Sequence, residues 1–518
     1  MRPIYEVGER IGLREDDLIP YGRYKAKVKL HRLFSPPISN PRYILVSAMT
    51  PTKSGEGKTT TTIGLSMAFN RFKGRAVACI RQPSLGPYLG VKGGGTGGGR
   101  CRVLPEEDIN LHFTGDNYAV STAHNFVSSL LDNHLFRGNQ LDIDISTINW
   151  PRAVDVSDAA LREVIVGLNW DKKSRYFPHK GQFCITAASE LMSILALSWD
   201  EEDFKKRIGE IVLAFSDKGE PIRLRDLGGL GAVWAMMREA LMPNLVQASD
   251  GTPVFIHSGP FANISIGASS IIADRLAMNL ADYVITEAGF GMDCGGEKFI
   301  NIKSRLLRRS PDCVVIVATL KAVKEYGQEN LARHIRIAKQ FGLNVVVLVN
   351  AWEGEDEKKL EALTKFAIDS GADKAFISQF YSQGSELGQE IVDGIDDLIA
   401  SRSTPQIQFT YEQSDELAVK LEKLSRDVYG ASGVAFEPIA KEKLDLFSDK
   451  GFSSLLMCVA KTQFSFGHRV GFQPDGGEKF LISDVFLSAG AGFVVAVAGS
   501  ITTLPGLPSR PRALNFAF

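Results

Sequence analysis

Short runs of consecutive aliphatic and β-branched residues recur along the chain. Longer stretches separate them, in which apolar residues return every three or four positions. The runs are Tyr43-Ile-Leu-Val-Ser47, Ala76-Val-Ala-Cys-Ile80, Tyr283-Val-Ile-Thr286, Cys313-Val-Val-Ile-Val-Ala318 and Asn344-Val-Val-Val-Leu-Val349. Near-continuous apolar runs of this length predict strands buried on both faces. An amphipathic stretch through Phe72 and another over residues 358–370 predict helices. Strands of this kind alternating with helices define an α/β fold with parallel sheets. The polar run Ser401-Arg-Ser-Thr-Pro-Gln-Ile-Gln408 reads as a linker. Three α/β units are expected, over residues 1–300, 301–400 and 401–518.

The longest uncharged stretch, Val485 to Ser509, has the length of a membrane span. Glycine, serine and proline break it up, and only Phe493 to Ala498 is compactly apolar, so a buried strand is expected there. The first ten residues carry charges at Arg2, Glu6, Glu9 and Arg10, which is unlike a signal peptide. The 59 basic and 60 acidic residues leave a formal charge of −1. That balance gives no global attraction to nucleic acid or anionic lipid. A hydrophobic content of 44% excludes disorder as the overall state. Cys79, Cys101, Cys184, Cys294, Cys313 and Cys458 are scattered, as buried thiols in a reducing cytoplasm would be. The histidines show no i, i+4 pair, so no zinc site is expected. One count is off-centre: 49 glycines in 518 residues, above the roughly 7% of average usage.

Some of those glycines carry chemistry. Thr50-Pro-Thr-Lys-Ser-Gly-Glu-Gly-Lys-Thr59 lies between the first strong strand and a helix. Converging backbone N–H groups can cradle phosphate oxygens there, a lysine can reach the terminal phosphates, and a hydroxyl can meet magnesium. Gly55, Gly57, Lys58 and Thr59 supply these parts, while Thr52 stands where the pattern has its first glycine. The nucleotide-binding set is Thr52, Lys53, Ser54, Gly55, Glu56, Gly57, Lys58 and Thr59. The first unit is therefore a P-loop NTPase-like parallel-sheet domain, with two smaller α/β domains after it. Arg81 follows the second strand, at the sheet edge where such folds bind ligands, and can hold a phosphoryl or carboxylate group bidentately. A surface ion pair is the bland reading of the same arginine. Eight glycines then fall between Gly86 and Gly99, with Lys92 among them. They read as an active-site loop able to approach an anion, or as a flexible linker.

The chain resembles the formate–tetrahydrofolate ligases, also called 10-formyltetrahydrofolate synthetases, nearly end to end. The strings that carry the resemblance include Leu18-Ile-Pro-Tyr-Gly-Arg-Tyr-Lys-Ala-Lys27, the phosphate loop, and Glu107-Asp-Ile-Asn-Leu-His-Phe-Thr-Gly-Asp116. Pro243-Asn-Leu-Val-Gln247, Gly259-Pro-Phe-Ala-Asn263, Thr286-Glu-Ala-Gly-Phe-Gly291 and Ala460-Lys-Thr-Gln463 extend it. The resemblance implies ATP-dependent ligation through formyl phosphate. Lys58 would neutralise the migrating phosphoryl group, and Arg81 would hold formate and the oxyanion formed on attack. Thr59 would ligate Mg2+, with Glu287 a second metal candidate or a capping carboxylate. Trp352 and Tyr381 match the aromatic pair that stacks a ring ligand and would flank tetrahydrofolate, with Phe380 as substitute and core packing as the alternative. The resemblance further implies a monovalent cation (K+ or NH4+) and a homotetramer.

Several positions depart from the family pattern. Thr96 and Arg100 replace alanine and tyrosine, Ile266 replaces histidine, and Ser269 replaces asparagine. Lys321 stands for arginine, and His468 falls where the family has Ser-Asp-Asp-Pro. Arginine to lysine loses bidentate geometry. Two functions are carried forward: an active ligase, and a nucleotide-binding regulatory or structural paralogue that has lost ligation.

Overall fold

The computed structural model describes residues 1–37, 40–90, 94–168 and 178–516. Its centre is a twelve-stranded sheet. In chain order the strands are β1 Leu18–Pro20, β2 Ala26–Val28, β3 Arg42–Ala48, β4 Ala76–Ile80, β5 Gly97–Gly98 and β6 Cys101–Leu104. They continue as β7 Asn244–Ala248, β8 Pro253–Ile256, β9 Tyr283–Glu287, β10 Cys313–Ala318, β11 Val345–Asn350 and β12 Lys374–Ser378. The main path runs β1-β2-β7-β8-β4-β9-β3-β10-β11-β12. From β8 to β12 every pairing is parallel, and the strands at the β1 end pair antiparallel. The α/β class expected from the apolar runs is the class observed.

The β-branched composition of these strands follows from burial on both faces. Tyr43 and Leu45 of β3 enter one core, while Ile44, Val46 and Ala48 enter the other. Strand β10 divides the same way, with Val314 and Ile316 on one side and Cys313, Val315 and Val317 on the other. A sheet covered on both faces has no solvent side, so no polar alternation survives in its sequence.

Helix α1, Lys58–Phe72, covers one face. The amphipathic reading of this stretch understates its burial, because every residue from Thr60 to Phe69 is buried. Its outer side is covered in turn by Phe380 and by helix α4, Gln389–Ser401. Gly64 makes that cover possible: a Cβ there would lie 2.5 Å from Phe380 Cγ. Helices α2, Ile271–Leu280, and α3, Gln328–Gln340, pack on the opposite face.

Strands from both sides of residue 300 share this sheet. A separate four-stranded sheet lies beyond residue 400, with β13 Val434–Phe436, β14 Leu456–Ala460, β15 Phe480–Ser488 and β16 Phe493–Ala498. Strand β16 is the compact run expected from the uncharged stretch. Among the described residues no helix is long and apolar enough to cross a membrane. All six cysteines are buried and unpaired with one another.

Candidate active site

Parallel strands bring their carboxyl ends to one edge, and three neighbours there define the site. Strand β3 leads through residues 50–59 into α1, β4 ends one residue before Arg81, and β9 ends on Glu287. Because β9 lies between β3 and β4, Glu287 stands between the other two contributions. The Thr59 hydroxyl donates to Glu287 Oε2 at 2.9 Å. Arg81 Nε lies 3.9 Å from Glu287 Oε1, and one of its terminal nitrogens donates to the Pro260 carbonyl at 3.2 Å. Lys58 Nζ donates to the Phe290 carbonyl at 3.4 Å, in the turn just after β9. Residues far apart in sequence thus bring a hydroxyl, a buried carboxylate and a guanidinium together, with the Lys58 ammonium on the turn that follows the same strand.

The loop that carries Lys58 is held from behind. Gly55 and Gly57 have φ of +77° and +75°, which a side chain would strain. Asn350 at the end of β11 donates to the Glu56 carbonyl at 2.9 Å and meets the Thr61 hydroxyl at 3.1 Å. The buried Glu56 carboxylate accepts from Thr52 N at 2.7 Å and from the Thr319 hydroxyl. Thr52 and Glu56 therefore face inward and set the loop's shape. Lys53, Ser54 and Gly55 are exposed at its crest, and Lys321 donates to the Ser54 hydroxyl. Asn350, Thr319 and Lys321 are absent from the sequence-derived site. The signal for Asn350 was a polar residue closing an apolar strand.

The turn after Arg81 is capped by Asp155. Its carboxylate accepts from Ser84 Oγ at 2.8 Å, from Leu85 N at 3.3 Å and from Asn117 Nδ2 at 3.1 Å. Burial pushes this carboxyl up, against the lowering effect of those three donors.

The glycine-rich segment after Arg81 also has a packing role. Lys92 and Gly93 lie outside the described residues. From Gly94 onward the glycines serve close packing. A Cβ on Gly94 would overlap the Asn110 amide at 2.1 Å, and one on Gly95 would lie 2.9 Å from Pro83 Cγ. A Cβ on Gly99 would lie 2.0 Å from the Tyr381 carbonyl oxygen. The β5–β6 hairpin is fixed there, since Arg100 N donates to that carbonyl at 2.9 Å. This part of the segment is a seated hairpin and not a linker.

Trp352 and Tyr381 come together beside the hairpin, with ring centroids 5.0 Å apart and planes tilted by 52°. They are 40% and 46% exposed, which is unlike core residues. The rings touch, so a third ring would enter between them only after they part. Phe380 is only 2% exposed and packs on Gly64, which removes it as a substitute. Of the departures, Thr96, Ile266 and Ser269 are buried in packing. Ser269 donates to the His257 carbonyl at 3.2 Å, and the His468 Nδ1 accepts from Leu481 N at 3.3 Å.

Fold and site together define an α/β protein with a glycine-turned loop and two cationic side chains at the carboxyl edge of a parallel sheet, the place where such folds bind anionic ligands. A family model described as formate–tetrahydrofolate ligase matches residues 1–518, and the chain belongs to that family. The formate–tetrahydrofolate ligases of Thermotoga petrophila and Thermotoga maritima are each 43% identical to it over 538 aligned positions. Both alignments cover 99% of this chain and 98% of the relative. The enzyme of that name from Symbiobacterium thermophilum is 43% identical, with 99% and 95% covered.

Proposed function

We propose that the protein ligates formate to tetrahydrofolate, converting ATP to ADP and phosphate through a formyl-phosphate intermediate. The convergence of Lys58, Thr59, Arg81 and Glu287 at one sheet edge carries this reading. Formate oxygen attacks the γ-phosphorus of ATP, and ADP leaves. Tetrahydrofolate N10 then attacks the formyl carbon, phosphate leaves with the bonding pair, and the N10 proton passes to the departing phosphate. Lys58 and the amides of the loop neutralise the migrating phosphoryl group, which needs positioning more than covalent help. Arg81 orients formate and stabilises the oxyanion formed when the amine attacks. Trp352 and Tyr381 flank the folate ring.

The Thr59 hydroxyl and Glu287 carboxylate are oxygen donors of the kind Mg2+ prefers, and these two would hold it. When bound, Mg2+ supplies charge neutralisation on the nucleotide phosphates. The reading includes a monovalent cation (K+ or NH4+), a homotetrameric assembly and a cytoplasmic setting. The paralogue reading has no observation in its favour. Three departures are packing residues, and Lys321 keeps a contact with the loop.

The test is direct. Purified protein with ATP, Mg2+, formate and tetrahydrofolate should release ADP only when all are present. Formyl-folate should be detected after acid conversion to its methenyl form. Lys58→Ala should lower kcat by at least about 100-fold. Absence of product over a wide formate range, with ATP still bound, sinks the reading.

A further inference from the structure

A chain of buried polar groups runs from the first residue of the phosphate loop to the C-terminal sheet unit. Asn330 and His334 lie one turn apart on α3 and grip Thr50 between them. Asn330 Oδ1 accepts from Thr50 N at 3.2 Å, which fixes the amide orientation. Its Nδ2 then donates to Thr50 Oγ1 at 2.9 Å. The Thr50 hydroxyl proton is left for His334 Nε2, 3.1 Å away. An accepting Nε2 puts the ring proton on Nδ1. That nitrogen is buried without a hydrogen-bond partner among the described residues and lies 3.9 Å from Asp293 Oδ1. Burial holds the imidazole neutral by pushing its pKa down to about 4.

Asp293 is held in turn by Lys461, the residue after β14. Lys461 Nζ donates to Asp293 Oδ2 at 2.7 Å and to the carbonyls of Thr462 and Ser465 at 3.1 and 2.6 Å. Both charges are almost fully buried. His334 and Asp293 also close on Gly291, where a Cβ would lie 2.6 Å from His334 Cε1 and from Asp293 Oδ1. Gly291 follows Phe290, whose carbonyl accepts from Lys58. The imidazole therefore touches the two walls that set where Lys58 points: the mouth of the loop and the turn after β9.

We propose that His334 is a positioning residue for phosphoryl transfer, fixing the Thr50 and Gly291 backbones relative to each other. This rests on the ligase reading above. A loop released at its first residue loses its fixed register against the nucleotide, and misplaced groups lose affinity and rate together. Tetrahydrofolate, taken at the far side of the site by Trp352 and Tyr381, is untouched by that release.

The test is a double-mutant cycle in the full-length protein. His334→Phe keeps the ring packed near Phe466, at 4.8 Å between centroids, and removes both nitrogens. Thr50→Val removes only the hydroxyl. Each single substitution should raise the ATP KM about 10-fold, and the double no more than about 2-fold beyond the worse single, because coupled residues are not additive. The tetrahydrofolate KM should stay within about 2-fold of wild type. His334→Gln, which can accept from Thr50 and donate toward Asp293, should recover most of the loss. It also carries the test if His334→Phe does not fold. Multiplying fold-changes, or an equal rise in every KM, overturns the positioning role. ATP binding measured by calorimetry separates the two levels. Wild type that binds no ATP overturns the ligase reading, whereas wild type and His334→Phe binding ATP equally overturn only the role of His334.

Discussion

The Thr59 hydroxyl is hydrogen-bonded to Glu287 across 2.9 Å, although 228 positions separate them. The second oxygen of the same carboxylate faces Arg81 Nε at 3.9 Å. On the proposed reading Glu287 has two roles: it completes an oxygen-donor pair with Thr59, and its charge faces a nearby guanidinium.

Glu287→Gln tests this double role. The amide keeps the size and an acceptor oxygen but loses the charge. The Mg2+ concentration for half-maximal rate should rise about 10-fold or more, the range seen when groups around a metal are altered. Arg81, relieved of its anionic neighbour, should meet formate at least as well as before. An unchanged Mg2+ titration would return Glu287 to a capping or structural carboxylate.

The aromatic pair gives a second prediction. Trp352→Ala and Tyr381→Ala should each raise the tetrahydrofolate KM about 10-fold, as loss of one stacking face costs 1–3 kcal/mol. The ATP KM should not move. Melting temperature should fall by no more than a few degrees, because both rings are more than one-third exposed and lose less buried area than a core aromatic would. A large loss of stability in either variant would mark the rings as packing residues.

These side chains were not equally legible in the sequence. Strands β3, β4, β9, β10 and β11 were visible because burial on two faces leaves an unbroken apolar run. Lys58, Thr59 and Arg81 were visible because they sit where such strands end. That Glu287 lies between them could not be read, since strand order is a long-range property that no local pattern records. Helix α1 was misjudged in degree: its threonines look polar, but Thr60, Thr61 and Thr62 are buried, and the hydroxyls of Thr61 and Thr62 bond to carbonyls one turn back. Part of the basis of the glycine excess was not legible. A glycine that admits an anion and one that admits a neighbouring residue look the same in sequence, and Gly94 and Gly99 each make room for a neighbour, the Asn110 side chain and the Tyr381 backbone. His334 carried no local signal, because its partners Thr50 and Asp293 come from distant segments.

Lys321 offers a third prediction, drawn from a departure. It replaces an arginine of the family pattern and still donates to Ser54 at the loop's crest. Lys321→Met should raise the ATP KM by about 3–10-fold, the scale of one ordinary solvent-exposed hydrogen bond of about 0.5–1.5 kcal/mol, with no effect on tetrahydrofolate. Lys321→Arg should stay near wild type. If Lys321→Met leaves the ATP KM unchanged, the Ser54 contact has no part in nucleotide binding.

The last prediction concerns pH and the junction between the two sheets. Glu190 opens the helix Glu190–Leu197 and accepts from Gly490 N at 2.8 Å and from Ala491 N at 3.3 Å, in the turn between β15 and β16. Burial pushes its carboxyl up to about 8 from 4.5, although the two backbone donors pull it down. Between those values the folded protein holds a proton that the unfolded chain releases. The contribution is therefore fully present below about 4.5 and is lost as pH rises through about 8. Glu190→Gln keeps an acceptor for Gly490 and Ala491 and cannot ionise. The parent should lose stability from about pH 5 to about pH 8.5 with a slope that Glu190→Gln lacks, and at the alkaline end the variant should melt a few degrees higher. Melting curves across that range for both proteins decide the matter. Parallel curves would mean that Glu190 is already ionised in the folded protein, its two backbone donors outweighing burial. Because Glu190 joins the helix Glu190–Leu197 to the C-terminal sheet, a slope of the expected sign also locates alkaline loosening at this junction and not at the Thr59–Glu287 site.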